Sequence, residues 1–180
     1  MKNYKKNKKI LEKSFNYSPD MEHDACGVGM IASTNGKKSR KIVEYGIEAL
    51  KAVWHRGAVD ADGKTGDGAG IHVEIPKDFF IEKIEVTGHD YDNSEICVGM
   101  IFLPRNDYSS QESCKTIVES ELTKNNFSIY GWRQVPVNPK ILGEKAFQTM
   151  PEIIQVLFKP NDLNLIDKDL ERKIYETRKK

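Results

Sequence analysis

Hydrophobic and polar positions fall into several kinds of pattern along this 180-residue chain. Met1 to Ala25 is rich in Lys and Asn and has no sustained period. It reads as a leader, disordered or else a transit peptide, though one without Arg. "CGVGMIA", from Cys26, is a short apolar run and predicts a buried strand. "STNGKKS" follows as a turn, with Asn35-Gly36 suited to a tight hairpin or loop. From Ser39 to His55 the spacing becomes helical: Val43, Ile47, Leu50 and Trp54 form one apolar stripe. "HRGAVDADGKTGDGAG" has five glycines and no period, which predicts a long loop. "IHVEIP" then alternates like a strand with one buried face. "KDFFIEKI" predicts a short helix opening after Pro76.

The second half repeats this alternation. "EICVGMIFLP" predicts a strand, and "SSQESCKTIVESELTKN" an amphipathic helix capped by Ser109 or Ser110. "FSIYGWRQVPV" reads as a strand ended by Pro136, and "PEIIQVLFKP" as another bracketed by Pro151 and Pro160. "DKDLERKIYETRKK" predicts a helix still running at the last residue, as in a chain that is cut and not finished. Neither an internal repeat nor a dividing linker interrupts this order. The mixture predicts an α+β layered domain. Some neighbouring strands lack a helix long enough for a crossover, so antiparallel pairs are expected.

Composition narrows the function classes. Net charge is +1 with 31% charged residues, so no global field favours nucleic acid or an anionic membrane. No apolar run approaches the ~20 residues of a spanning helix. The basic N-terminus lacks the apolar segment of a secretory signal. Three cysteines (Cys26, Cys97 and Cys114) show no framework spacing, which predicts reduced thiols in a cytoplasmic setting, an organelle remaining open. His23 and Cys26 are three apart, but no further ligand stands at a recognisable spacing, so no metal site is expected.

Two features carry candidate chemistry. Cys26 reads either as a small buried hydrophobe or as a nucleophile. Gly27 and Gly29 leave room for a substrate beside the backbone. A free thiol titrates near 8.5, so a nucleophile here needs a base or a positive charge. The second feature is "TGDGAG", Thr65 to Gly70, with Arg56 of "HRG" upstream. Glycines let backbone N–H groups crowd a ligand, and Arg56 can fork onto a carboxylate. The alternative is a flexible surface loop. A phosphate cradle is disfavoured because no GK[ST] follows the glycines. His55 reads as a helix-end residue favoured by the dipole, and His23 as solvated. Trp132, Tyr130, Cys97 and Cys114 read as structural. The terminal Arg178, Lys179 and Lys180 read as a solvated face.

Taken together, "CGVGMIA", "ALKAVWHRGAVDADGKTGDGAGIHVEIPKDFF", "YGWRQVPVNP" and "ERKIYETRKK" resemble the start of the glutamate synthase large subunit. That region is a class II glutamine amidotransferase domain. The resemblance runs from about Asp24 to the end. It implies a four-layer αββα sandwich of the N-terminal-nucleophile hydrolase type, C-terminally truncated here. It also implies a leader of residues 1–25 that is removed, leaving an incomplete amidotransferase domain over 26–180. Cleavage after Ala25 makes Cys26 the first residue. Its α-amino group, with a pKa near 7.7–8.0, then serves as general base for its own thiol. By the same resemblance Arg56 holds the α-carboxylate of L-glutamine, and Gly66, Asp67 and Gly68 shape the pocket.

The whole enzyme implied by the resemblance passes ammonia to 2-oxoglutarate in the remaining synthase domains. It uses FMN, an iron–sulfur cluster and electrons from NAD(P)H or ferredoxin, with a small electron-transfer subunit as a further partner. No cofactor is expected in the present segment. The family's oxyanion Asn-Gly pair and its amino-group-binding acid are expected beyond residue 180. The one Asn-Gly here, Asn35-Gly36, lies too close to Cys26. Oxyanion donors are worth about 2.7–4 kcal/mol, so these residues alone are expected to have negligible glutaminase activity. Alternatives are another class II amidotransferase, or a silent module that binds glutamine or a partner.

Overall fold

A computed structural model describes residues 6, 7, 9, 10, 13, 27–53, 59–66 and 68–180. Two compact units divide the chain, Met1–Arg56 and Gly57–Lys180. In the first, Lys6, Asn7, Lys9, Ile10 and Lys13 have helical backbone, where the sequence predicted no structure.

Residues 27–33 do not form the predicted strand. Val28 and Met30 are 92% and 90% exposed, and an apolar run becomes a strand only when a second strand pairs with it. The turn that follows is as predicted. The Gly36 N–H donates to the Ser33 carbonyl at 3.2 Å, and Gly36 takes a φ of +66°. Helix α1 spans Arg40–Ala52. Ser39 caps it, accepting the Lys41 N–H at 3.2 Å. Val43, Ile47 and Leu50 of the predicted stripe are half-buried on one side, and Trp54, its fourth member, lies outside the described residues.

The second unit holds α2 (Lys77–Val86), β1 (Cys97–Leu103), α3 (Tyr108–Lys124) and β2 (Phe127–Gln134). After a 3-10 turn at Pro139–Ile141 come α4 (Glu144–Thr149), β3 (Glu152–Pro160) and α5 (Asp167–Arg178). The strands form one sheet in the order β1-β3-β2, antiparallel throughout, and antiparallel pairs were expected. β3 lies in the middle and is buried without a break from Ile154 to Phe158. A central strand covered on both faces needs a continuous apolar run, not an alternating one. Val156 and Phe158 pack with Cys97, Phe127, Leu122 of α3 and Leu170 of α5. Leu157 points the other way, into Phe80 and Ile84 of α2, Ile96 and Tyr130. The result is a helix–sheet–helix arrangement around one buried strand.

Three expectations need correction. "IHVEIP" is not a strand: Ile71 and Val73 are exposed, and among the described residues no ladder partner pairs with residues 71–76. The cap of α3 is Asp107, not Ser109 or Ser110. Its carboxylate accepts the Ser110 N–H at 3.0 Å and the Ser110 hydroxyl at 2.6 Å, a charged acceptor taking the position. Helix α5 does not run to the last residue but closes at Lys179.

A bulge in β2 matters for packing. The register moves from Ile129↔Phe158 to Gly131↔Leu157, leaving Tyr130 as the extra residue. Gly131 takes a φ of +148°, and a Cβ there would meet Thr87 Cγ2 at 2.9 Å. The bulge buries the Tyr130 ring, and its hydroxyl bonds Ser94 Oγ and Asp92 Oδ1, each at 3.0 Å.

Candidate functional site

Of the residues singled out from sequence, Cys26, Arg56 and Asp67 lie outside the described residues, as do His23 and His55. Gly66 and Gly68 are described, and with their neighbours they define how the glycine loop is held. Val59 and Gly66 form an antiparallel bridge. Inside it the Asp60 N–H donates to the Thr65 carbonyl at 2.8 Å, and the Gly63 N–H to the Asp60 carbonyl at 2.9 Å. Gly63 and Gly68 have φ of +68° and +84°, a conformation that glycine adopts without strain. The segment is therefore an ordered hairpin leading into the glycines, not a featureless loop.

Asp62 organises this hairpin. Its Oδ1 accepts the Lys64 N–H at 2.9 Å and the Thr65 N–H at 2.7 Å, while Oδ2 accepts the Thr65 hydroxyl at 2.5 Å. The Thr65 hydroxyl, the two backbone donors and a further N–H from Glu144 hold this carboxyl well below the usual carboxylate range. Glu144 opens α4, and the residue before it, Gly143, is buried against the hairpin. A Cβ on Gly143 would stand 2.2 Å from Thr65 Oγ1, 2.4 Å from Asp62 Oδ2 and 2.5 Å from the Thr65 nitrogen. Two residues after Gly143, Lys145 Nζ meets Asp60 Oδ2 at 2.5 Å. Sequence reasoning singled out neither Asp62 nor Gly143. The available signals were the Asp-x-x-Thr spacing of an Asx turn and a glycine just beyond "VPVNP".

Another polar cluster lies across the sheet. Lys159 forms an ion pair with Asp92, which also accepts the Ser94 hydroxyl at 2.6 Å. The Lys159 ammonium, then Ser94, holds the Asp92 carboxyl well below its ordinary range. Asp92 in turn raises the Lys159 ammonium. Burial pushes the Tyr130 phenol up. Cys97 behaves as the structural residue that the sequence predicted. It is buried in the sheet, and burial, followed by Glu171 and Glu95, pushes its thiol up to about 12. Among the described residues no group of three His, Cys, Asp or Glu is placed to hold a metal. No helix among them is long and apolar enough to cross a membrane.

With this geometry in place, comparison with known proteins identifies the class. Residues 26–180 match the class-II glutamine amidotransferases, and the chain belongs to that family. Its relatives are more particular. The chain is 54% identical over 164 residues to the glutamate synthase [NADPH] large chain of Azospirillum brasilense, covering 91% of this chain and 11% of that protein. It is 41% identical over 165 residues to the ferredoxin-dependent glutamate synthase of Pyropia yezoensis, covering 91% and 10%. Against the glutamate synthase [NADH] of Saccharomyces cerevisiae (strain ATCC 204508 / S288c) it is 40% identical over 157 residues, covering 84% and 7%. The chain thus spans about a tenth of the length of these relatives.

Proposed function

We propose that this chain forms part of the glutaminase domain of a glutamate synthase, with Cys26 as the N-terminal nucleophile. The observation that carries the reading is the family match, which begins at Cys26 and runs to residue 180. Removal of residues 1–25 frees the Cys26 α-amino group, which takes the thiol proton. The thiolate attacks the side-chain amide carbon of L-glutamine, and the C–N bond breaks as the relayed proton leaves with ammonia. Water then hydrolyses the glutamyl thioester, releasing glutamate and restoring the thiol. Arg56 holds the substrate α-carboxylate, and Gly66, Asp67 and Gly68 shape the pocket. The finer architecture proposed is the four-layer αββα sandwich, of which the three-stranded sheet and its helices are one part.

In the longer polypeptide, the ammonia reaches a second site and aminates 2-oxoglutarate. FMN and an iron–sulfur cluster would supply the reduction there, with electrons from NAD(P)H or ferredoxin and a small electron-transfer subunit or ferredoxin as a further partner. Residues 26–180 match the amidotransferase family alone, and we assign these groups to other parts of the polypeptide. The cytoplasm, or a comparably reducing organelle, suits three unframed cysteines.

The test is glutamine-dependent glutamate formation by the full-length synthase and two variants. Cys26→Ala is expected to abolish it. Arg56→Ala is expected to raise the KM for glutamine far more than it lowers kcat, as loss of a ground-state contact does. Full activity in Cys26→Ala would overturn the proposal.

A further inference from the structure

We infer that Asp62 is a positioning residue for the glycine loop, fixing it against the Gly143–Glu144 backbone so that the loop is preset for glutamine. The inference rests on the functional reading above and goes beyond it, because Asp62 itself need touch no substrate.

Both carboxylate oxygens of Asp62 are engaged: Oδ1 by the Lys64 and Thr65 N–H groups, Oδ2 by the Thr65 hydroxyl. Gly143, 81 positions away in sequence, closes on the same carboxylate, a Cβ there falling 2.4 Å from Oδ2. Thr65 immediately precedes Gly66, so these bonds fix the backbone just where the glycine run begins. The glycines themselves have no side chains with which to hold a shape. The loop's geometry must then be imposed from its base. Gly143 serves the same end from the other side. Its φ of −69° is open to any residue, so glycine is required there only by the close approach of Thr65 and Asp62. The contact also gives a role to "VPVNP", Val135 to Pro139. That stretch leaves β2 and turns the chain through Pro139–Ile141 so that Gly143 arrives at the hairpin. Two motifs far apart in sequence thus meet at one point.

The test compares two thiol reagents on Cys26 in the full-length, processed synthase. One is the diazoketone analogue of L-glutamine, which must be seated by the loop to react; the other is iodoacetamide, which need not be. In Asp62→Ala the diazoketone rate is expected to fall about 10-fold or more, because small misplacements of a positioning group are costly. The iodoacetamide rate is expected to stay within about twofold, the thiol and its base being intact. Asp62→Asn, which keeps one acceptor oxygen, should fall between wild type and Asp62→Ala. Equal diazoketone rates in wild type and Asp62→Ala would overturn the inference. So would a parallel fall with both reagents, which marks general loss of structure. A wild-type enzyme that reacts with iodoacetamide but not with the diazoketone would instead sink the functional reading itself.

Discussion

Asp62 Oδ2 stands 2.4 Å from the point that a Cβ on Gly143 would occupy, so the glycine hairpin and the start of α4 are in direct contact. Thr65 Oγ1 and the Thr65 backbone nitrogen lie 2.2 and 2.5 Å from the same point. Gly143→Ala is therefore expected to destabilise the domain by about 1–3 kcal/mol, the usual cost of overpacking. Gly70→Ala, whose Cβ would meet no described residue within 4 Å, is the control. It should leave the urea midpoint unchanged.

The bulge glycine makes a second prediction. Gly131 combines a φ of +148° with Thr87 atoms at 2.9 and 3.1 Å from its Cβ direction. Gly131→Ala meets both penalties and should cost about 2–4 kcal/mol, adding backbone strain to overpacking. Tyr130→Phe keeps the ring and loses only the hydroxyl that bonds Ser94 and Asp92. It should cost about 1 kcal/mol. Equilibrium unfolding of both variants measures the difference.

Acid and alkali act on the Asp92–Lys159 pair with opposite signs. The folded pKa of Asp92 is depressed, so its contribution is complete above the unfolded value of about 3.9 and is lost as pH falls toward the folded value. The folded pKa of Lys159 is raised, so its contribution is complete below about 10.4 and is lost as pH climbs through the folded value. The contribution of this pair should be flat between these limits and fall on both sides, while Cys97, held neutral by burial, adds a separate loss of stability as pH rises above about 8.5. Asp92→Asn should shrink both limbs in a pH series of urea melts. Asp62 and Asp107, held low by their own hydrogen bonds, should keep part of the acid limb.

Thiol reactivity separates the cysteines. With its pKa pushed up to about 12, Cys97 is thiolate in only about one molecule in 10⁴ at pH 8. In the native protein iodoacetamide should modify Cys114, which is half-buried, and spare Cys97. Denaturant should expose Cys97 to the reagent. Peptide mapping after alkylation reads both outcomes.

Local pattern revealed those elements whose stability is decided locally or by burial on every side. The stripe Val43, Ile47 and Leu50, together with the Ser39 cap, marked α1, and the mostly apolar "EIIQVLF" between Pro151 and Pro160 marked the central strand, with Gln155 its one buried polar residue. Elements that depend on a distant partner were misread. "GVGMIA" and "IHVEIP" have strand-like composition, but a ladder requires a neighbour that the sequence does not specify. Helix α4 was missed because six residues are too few to show a period. The same reason hid the Asp62–Gly143 contact, which joins residues 81 positions apart. Cys26 and Arg56 drew attention by residue type and by the glycines beside them, but the roles proposed for them and for Asp67 come from motifs shared with a family, which neither periodicity nor composition supplies.

Everything in the mechanism depends on Cys26 supplying both nucleophile and base, which requires that it begin the mature chain. N-terminal sequencing and intact mass of the protein expressed from its full gene test this directly. The predicted result is a mature chain beginning at Cys26, modified once per molecule by the glutamine diazoketone. A mature, glutamine-active chain that still carries Met21 to Ala25 would contradict it, because no α-amino base would then exist at Cys26.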